Sequence, residues 1–470
     1  MLTTANELRK HLKRLDAEIA QHELSLQLLR EARTGVLEEL RLSLIYPVLT
    51  LPFEITSTIF LECLPDYSDD STRSYPSQDD APLVFTRVCR DWRTIAISTS
   101  TLWNHVRIEL DSDDGPGYID SKWVSLLDTW LYRSEPQPLY LTISNRSYTE
   151  PDQALVDVLD RHSRRWREVT LKLPFSHFSR LGATTSPMLE RLTLSAHGSP
   201  DIINPISAFR YSPMLRHVCL EGGMHSSDVI LPWAQLTSLE LYGASADDCL
   251  ELLRSTASIV NCILDVQYAS HALVLGAPLL SLRSFVFSGQ AGWSTLRYMA
   301  MPALQKLDLT RCPPGPRNVA QLLQFVTRSG CQLRDLKLYV RSGVTVQTVY
   351  LLRSLPSLET IDLTLAEADA GTAIFREFKS SDNDVILPHA ESISLLCIHD
   401  DNHQLLLDAV TDALAMRSQS SAENPRRLTS FTLLVDTNAP GPGPEIRQRW
   451  RELSANGLEL CIGNISERWI

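Results

Sequence analysis

A short apolar pattern recurs along most of the chain after residue 165 and limits the folds open to it. The pattern is apolar-x-x-apolar-x-apolar, as in Leu333-x-x-Leu336-x-Leu338. Its eleven copies start 21 to 38 residues apart, at Trp166, Leu189, Leu215, Leu236, Ile259, Leu282, Leu304, Leu333, Leu358, Ala390 and Leu428. Recurrence at such a spacing predicts stacked, strand-containing units rather than one closed core.

The copies alternate with segments that read as helices. Within each copy the last apolar pair alternates with a variable residue, which is typical of a strand buried on one face. Proline precedes many copies, as at Pro187, Pro302 and Pro356, and there it ends the preceding helix. We predict an α/β array over residues 165–470, introduced by a helix-strand-helix segment at 111–164. A helix at 445–453 and a strand at 458–462 are expected to close its end.

The variable residues beside each predicted strand share one face of the array, which we expect to be concave and to bind a partner. Their charges are of both signs, which suits a protein or a peptide, although an acidic protein carries such charges on any surface. The candidates are Glu168, Lys172, Arg191, His217, Glu221, Glu240, Tyr242, Asp265, Lys306, Asp308, Asp335, Lys337, Tyr339 and Asp362. The seven that we favour for substrate binding are Arg191, Glu240, Tyr242, Asp308, Lys337, Tyr339 and Asp362.

Residues 1–46 read as one long amphipathic helix, because residues 4–45 contain no proline. Seam residues alternate spacings of four and three, at Leu8, Leu12, Leu15, Ile19, His22, Leu26, Leu29, Arg33, Val36 and Leu40. This is a heptad pattern, weakened by the polar His22 and Arg33. The helix either dimerises as a coiled coil or folds back on its own chain.

Residues 47–110 form a second predicted segment, which is rich in large apolar side chains. A helix is expected from Pro52 to Pro65 and another from Leu83 to Ala96, with Leu102-Trp103 closing the segment. So few residues cannot bury all of their large apolar side chains among themselves, and the remainder marks an interface. The alternative is a private helical core covered by the first helix.

This segment resembles an F-box, in the form common among fungal F-box-like proteins. The resemblance lies in Leu51-Pro-x-Glu-Ile-x-x-x-Ile-Phe60, then Val88-Cys-Arg-x-Trp-Arg-x-Ile-Ala96, then Leu102-Trp103. The repeats resemble an irregular leucine-rich repeat array. Together these imply the substrate-recognition subunit of an SCF-type (cullin-RING) ubiquitin ligase, which binds a Skp-type adaptor and through it cullin. By position, the adaptor-binding residues would be Leu51, Pro52, Ile55, Ile59, Val88, Cys89 and Trp92.

Composition and charge indicate which binding partners and which cellular locations are to be expected. The net charge of −12 argues against a nucleic-acid partner and against binding to anionic membranes. Nine cysteines at irregular spacing fit reduced thiols, and the polar start lacks the apolar core of a signal peptide. We therefore expect a cytoplasmic or nuclear protein with an α+β fold, in which a helical front precedes an α/β solenoid.

The sequence contains little that suggests catalysis. The best candidate is His399-Asp400-Asp401-Asn402-His403, whose two histidines could bind zinc in a metal-dependent hydrolase. The simpler interpretation is a polar turn that caps the helix beginning near His403. We expect no enzyme activity, no metal and no cofactor. The remaining alternative is an interaction scaffold with no role in ubiquitination.

Overall fold

The computed structural model describes residues 2–43, 47–67, 76–109, 121–145, 153–182, 185–198, 205–268, 278–289, 292–312, 316–378, 386–399, 403–419, 428–435, 441–464 and 467–470. The fold mixes helices and strands and begins with a long helix. Two compact units divide the chain. We call Met1–Pro65 with Gln78–Thr99 the N-terminal unit, and Asp66–Ser77 with Ser100–Ile470 the sheet unit.

The N-terminal unit begins with α1, which spans Leu2–Ser43. Every side chain from residue 6 to residue 40 is exposed. The alternative in which this helix folds back on its own chain is therefore wrong for these residues, because a packed helix would bury one face.

In its described part, the rest of the N-terminal unit contains a 3-10 helix at Pro47–Thr50 and three short α-helices, α2 (Phe53–Glu62), α3 (Phe85–Val88) and α4 (Arg90–Ser98). The single helix expected from Leu83 to Ala96 is wrong, because the backbone of Cys89 is extended and separates α3 from α4. The Cys89 Sγ accepts a hydrogen bond from the Trp92 backbone N–H at 3.4 Å and so caps α4. An extended, capping residue ends one helix and begins the next.

The sheet unit is built on one parallel sheet whose fourteen strands lie side by side in chain order. Each of the eleven pattern copies contributes one strand. The strands are β1 (His105–Glu109), β2 (Leu139–Ser144), β3 (Trp166–Pro174), β4 (Arg191–His197), β5 (His217–Glu221), β6 (Ser238–Ser245), β7 (Asn261–Tyr268), β8 (Ser284–Ser288), β9 (Lys306–Leu309), β10 (Asp335–Val340), β11 (Thr360–Glu367), β12 (Ser392–His399), β13 (Ser430–Val435) and β14 (Glu459–Asn464).

The sheet starts earlier in the chain than the sequence indicated. The sequence predicts that the F-box-like segment extends to residue 110, but β1 pairs with β2 and belongs to the sheet unit. Trp103 belongs there as well: its ring is fully buried and meets Trp130 edge-on at a centroid distance of 5.0 Å. Trp103 therefore packs in the core of the sheet unit rather than on the F-box-like surface.

Helices follow many of the strands and pack on one another in succession. They are α5 (Ser121–Arg133), α6 (Gln153–His162), α7 (Phe175–Phe178), α8 (Ala246–Ser255), α9 (Gly292–Leu296), α10 (Pro316–Ser329), α11 (Thr345–Arg353), α12 (Ala368–Glu377), α13 (His403–Gln419) and α14 (Pro444–Ala455). The packing is close at Gly371 of α12, where an added Cβ would lie 2.6 Å from Leu365 Cδ1 and 2.7 Å from Leu406 Cδ1. None of the described helices combines the length and the apolar character that a bilayer span requires.

At two places in the sheet unit, an arginine side chain binds the carbonyl groups at the end of a neighbouring helix. Arg165 lies just after α6. Its guanidinium donates to the carbonyl oxygen of Leu131, in the last turn of α5, and to that of Gln137, just beyond α5. Arg328, in the last turn of α10, donates to the carbonyl oxygens of Leu296 and Met299. In both places a cation satisfies carbonyl groups that a helix end leaves without intrahelical partners.

Candidate functional site

The N-terminal unit presents an apolar stripe along α2. Ile55 and Ile59 are spaced four residues apart and therefore share one side of the helix, and Leu51 lies just before the helix begins. We call these three side chains the apolar stripe. Ile55 is 49% exposed and Ile59 44% exposed, although both are large aliphatic side chains. An aliphatic row left in water on a small helical unit is typical of a protein-binding surface.

A small aromatic cluster holds the stripe in place. Phe60 of α2 stacks on Phe85 of α3 with ring centroids 4.1 Å apart, and it meets Trp92 of α4 edge-on at 4.9 Å. Thr56 and Phe60 are the buried residues of α2. Ile55 and Ile59 each directly precede one of these buried residues, so they lie about 100° round the helix from them and outside the cluster.

The predicted adaptor-binding residues have different exposures. Those with exposed side chains are Leu51, Pro52, Ile55, Ile59 and Val88. Cys89 and Trp92 are half-buried, since one caps α4 and the other packs on Phe60. A partner would therefore touch the first five directly and the last two only at their exposed edges.

The second candidate surface is the side of the sheet that carries the variable strand residues, which we call the polar face. Strand register aligns these residues in rows across the sheet. One row runs Arg107, Thr142, Thr170, Thr193, Cys219, Glu240, Ile263, Val286, Asp308, Lys337, Asp362, Ser394, Thr432 and Cys461. Four of the seven favoured substrate-binding residues lie in this row: Glu240, Asp308, Lys337 and Asp362.

The other three favoured residues lie beside this row. Arg191 lies in the preceding row, between Glu168 and His217, and Tyr339 lies two residues after Lys337 on β10. The hydroxyl of Tyr242 donates to Glu240 Oε2 at 3.2 Å, so both side chains lie on the same face. The predicted set is thus brought together on one surface, although it extends over many strands.

Many charged residues of the polar face, on the strands before and after the middle of the sheet, are paired with one another. Lys172 Nζ lies 3.0 Å from Glu221 Oε1, and Arg191 Nε lies 3.5 Å from Glu168 Oε1. Further along the sheet, Lys306 pairs with Asp335 and Lys337 with Asp362, at 3.7 and 3.4 Å. Such partly exposed pairs contribute little to the stability of the fold.

The middle of the polar face differs in chemistry. The carboxylates of Glu240, Asp265 and Asp308 accept hydrogen bonds from the hydroxyl groups of Tyr242, Ser288 and Thr310. Among the described residues, no basic side chain forms an ion pair with any of the three. Ile263 and Val286 lie between Glu240 and Asp308 in the same row and are half-buried. This part of the sheet combines carboxylates that lie outside the described ion pairs with apolar surface.

Sequence reasoning missed the beginning of the polar face. The His105 ring on β1 is stacked between the rings of Tyr67 and Tyr140, with centroid distances of 5.1 and 4.1 Å. These three rings line a cavity of about 300 Å³, together with Arg107 and Glu168 among others. Burial raises the pKa of Tyr67 to about 12, so its hydroxyl stays protonated. The alternation of Val106 and Ile108 with polar residues was the available signal for β1.

We expect the sheet unit to lose stability as the pH falls below about 6.5, the usual pKa of histidine. Burial lowers the pKa of His105, His162 and His217 in the folded chain. At His162, Arg165 Nη2 approaches Nδ1 at 3.0 Å, a contact that needs the neutral ring. The unfolded chain therefore binds more protons than the folded chain in this range, and acid favours unfolding.

Thermal unfolding of the full chain at pH 7.5, 6.5 and 5.5 measures this effect. The midpoint temperature should be lower at pH 5.5 than at pH 7.5. His162→Gln should make this difference smaller. A midpoint that rises towards pH 5.5 would contradict the expected direction.

The proposed metal-binding turn is only partly described. His399 ends β12 and His403 begins α13, while Asp400, Asp401 and Asn402 lie outside the described residues. Within the described ranges, no three histidine, cysteine or acidic side chains lie close enough together to hold a metal ion.

No protein-family model matches the chain, and no curated protein matches it either. The F-box-like and leucine-rich-repeat assignments therefore remain predictions drawn from the residues.

Proposed function

We propose that the chain is the substrate-recognition subunit of an SCF-type ubiquitin ligase. In this proposal α2 to α4 form an F-box that binds a Skp-type adaptor and through it cullin. The sheet unit is an irregular leucine-rich repeat solenoid, and its polar face is the concave surface that binds a protein target. The chain contributes no catalytic group; it holds the target close to the ubiquitin-transferring subunits, which raises their effective concentration.

The observation that carries the adaptor half is the exposed apolar stripe held in place by a packed aromatic cluster. Leu51, Ile55 and Ile59 occupy the positions that the resemblance assigns to adaptor binding, and all three are exposed. The competing idea of a private helical core predicts that these residues are buried, which they are not.

The polar face supports the target-binding half. It is formed by the fourteen described strands, and many of its charges are paired with one another. Its middle, around Glu240, Ile263 and Asp308, is complementary to a target segment in which basic side chains flank an aliphatic one. A binding surface of this length suits a folded protein or an extended peptide.

Co-purification of the full chain with a Skp-type adaptor tests the proposal. The wild-type chain should form a stoichiometric complex, and the double variant Pro52→Ala/Ile59→Asp should bind at least about 100-fold more weakly. The reason is that a carboxylate at position 59 would be buried without a partner in the complex. Circular dichroism of each free chain reports whether the fold is intact.

Ser57→Asp is the matched control, because it adds the same charge to α2 on nearly the opposite side from Ile59. It should bind the adaptor like the wild type. Adaptor binding that survives Pro52→Ala/Ile59→Asp would refute the assignment of the stripe. If the folded wild type forms no complex, the result favours the alternative of a scaffold without a role in ubiquitination.

A further inference from the structure

The proposed function leaves the seam of α1 unused. Its ten seam residues, from Leu8 to Leu40, include eight leucine, isoleucine or valine side chains, and all ten are exposed. The alternate spacing of four and three keeps them in one line along the helix. So much aliphatic surface on one helix face indicates a helical partner of the same length.

We propose that this partner is α1 of a second copy of the chain, in an antiparallel two-stranded coiled coil. Arg33 gives the first argument for this orientation. In a parallel pair each seam residue meets its own equivalent, so two Arg33 guanidinium groups would face each other in an apolar seam, which is costly. In an antiparallel pair centred near residue 24, Arg33 instead lies opposite Leu15 of the second copy.

The remaining seam layers of this register are compatible. Ile19 lies opposite Leu29 of the second copy, and Leu12 lies opposite Val36. His22 lies opposite Leu26, so the two imidazoles do not meet each other. The paired region from residue 8 to residue 40 is about 50 Å long at 1.5 Å per residue, which is more than four heptads.

The charges that flank the seam give the second, independent argument. In the antiparallel register Asp16 lies beside Arg30 of the second copy, and His11 lies beside Glu39. Each of these pairs occurs twice because the dimer is symmetric. One like-charged pair, Glu23 with its equivalent, remains at the two-fold axis. A parallel register would place His11 beside Asp16, but it would also place Glu18 beside Glu23 twice and would leave Arg30 beside an uncharged Ser25.

Sedimentation equilibrium of the full chain at low ionic strength tests the association. The wild type should be a dimer, and Leu15→Asp/Leu26→Asp should be a monomer. Asp16→Arg should raise the dissociation constant about tenfold, because it places two arginines beside each other at both of the equivalent sites. Asp16→Arg/Arg30→Asp should restore wild-type association, since the exchange re-forms the same pairs across the dimer.

Oxidative crosslinking tests the orientation. Ser25 lies beside its own equivalent only in the antiparallel register, so Ser25→Cys should form a disulfide-linked dimer. Thr34→Cys is the matched control on the outer side of the helix and should crosslink no more than the wild type, whose native cysteines both variants share. A monomeric wild type, a dimer that survives Leu15→Asp/Leu26→Asp, or failure of both the charge exchange and the Ser25 crosslink would overturn the proposal. No step uses the adaptor, so this outcome is separate from that of the proposed function.

Discussion

Replacing Phe60 by alanine should unfold the part of the N-terminal unit formed by α2, α3 and α4 while the sheet unit stays folded. Phe60 is 1% exposed and is the ring on which both Phe85 and Trp92 pack. Truncating such a side chain costs about 3–5 kcal/mol. A helical unit this small has a free energy of unfolding of roughly 5 kcal/mol, so the loss removes most of it.

Hydrogen exchange measured by mass spectrometry reports on the two units separately and so shows which of them unfolds in Phe60→Ala. Peptides from α2 and α4 should lose protection in Phe60→Ala, and peptides from β10 and β11 should keep it. Phe53→Ala is the matched control, because Phe53 lies on the same helix but is 45% exposed. That control should cost less than about 1 kcal/mol. Unchanged protection of α2 in Phe60→Ala would show that the aromatic cluster does not hold the helices.

Leu395→Ala and Leu396→Ala should have very different effects on the sheet unit, although the two residues are neighbours on β12. Leu395 is 0% exposed and points into the core, whereas Leu396 is 38% exposed on the polar face. The first change should cost about 2–5 kcal/mol, because it leaves a cavity among buried side chains. The second removes a partly solvated side chain and should cost about 1 kcal/mol or less.

Urea unfolding followed by circular dichroism compares the two variants under the same conditions. The midpoint should move clearly to lower urea for Leu395→Ala and only slightly for Leu396→Ala. Equal shifts would mean that the alternation of buried and exposed residues on β12 is wrong, and with it the position of the polar face.

The strands were predictable because each is encoded by a few adjacent residues. Leu336 and Leu338 of β10 alternate with polar residues within the copy that starts at Leu333. Each of the remaining copies also contributes a strand. The long helix α1 was predictable for a similar reason, since a proline-free heptad pattern is visible in the sequence alone.

Other elements escaped sequence reasoning because packing, rather than pattern, determines them. β1 offers only Val106 and Ile108 and lacks the full pattern. The buried face of α12 consists partly of Ala370 and Gly371, small residues that carry almost no apolar signal. A Cβ added at Gly371 would nevertheless lie only 2.7 Å from Leu406 Cδ1 of α13. The break at Cys89 depends on a capping hydrogen bond that apolar spacing does not reveal.

The candidate surfaces were predictable as sets of residues but not as arrangements. The residues of the polar face follow from strand alternation alone. Which of them pair depends on strand register, as with Lys172 and Glu221, which lie two strands apart with Ser195 between them. Tyr67 comes from a loop, and no sequence signal places its ring on His105.

The order of the strands has a consequence for how such a protein can change over evolutionary time. Each strand of the sheet pairs only with the strands that precede and follow it in the chain, from β1 to β14. Duplication or loss of one strand-and-helix unit therefore lengthens or shortens the sheet without rethreading the rest. Each such event inserts or removes one column of the polar face and leaves the neighbouring columns unchanged. The extent and the chemistry of the polar face can therefore change by duplication of units as well as by point substitution.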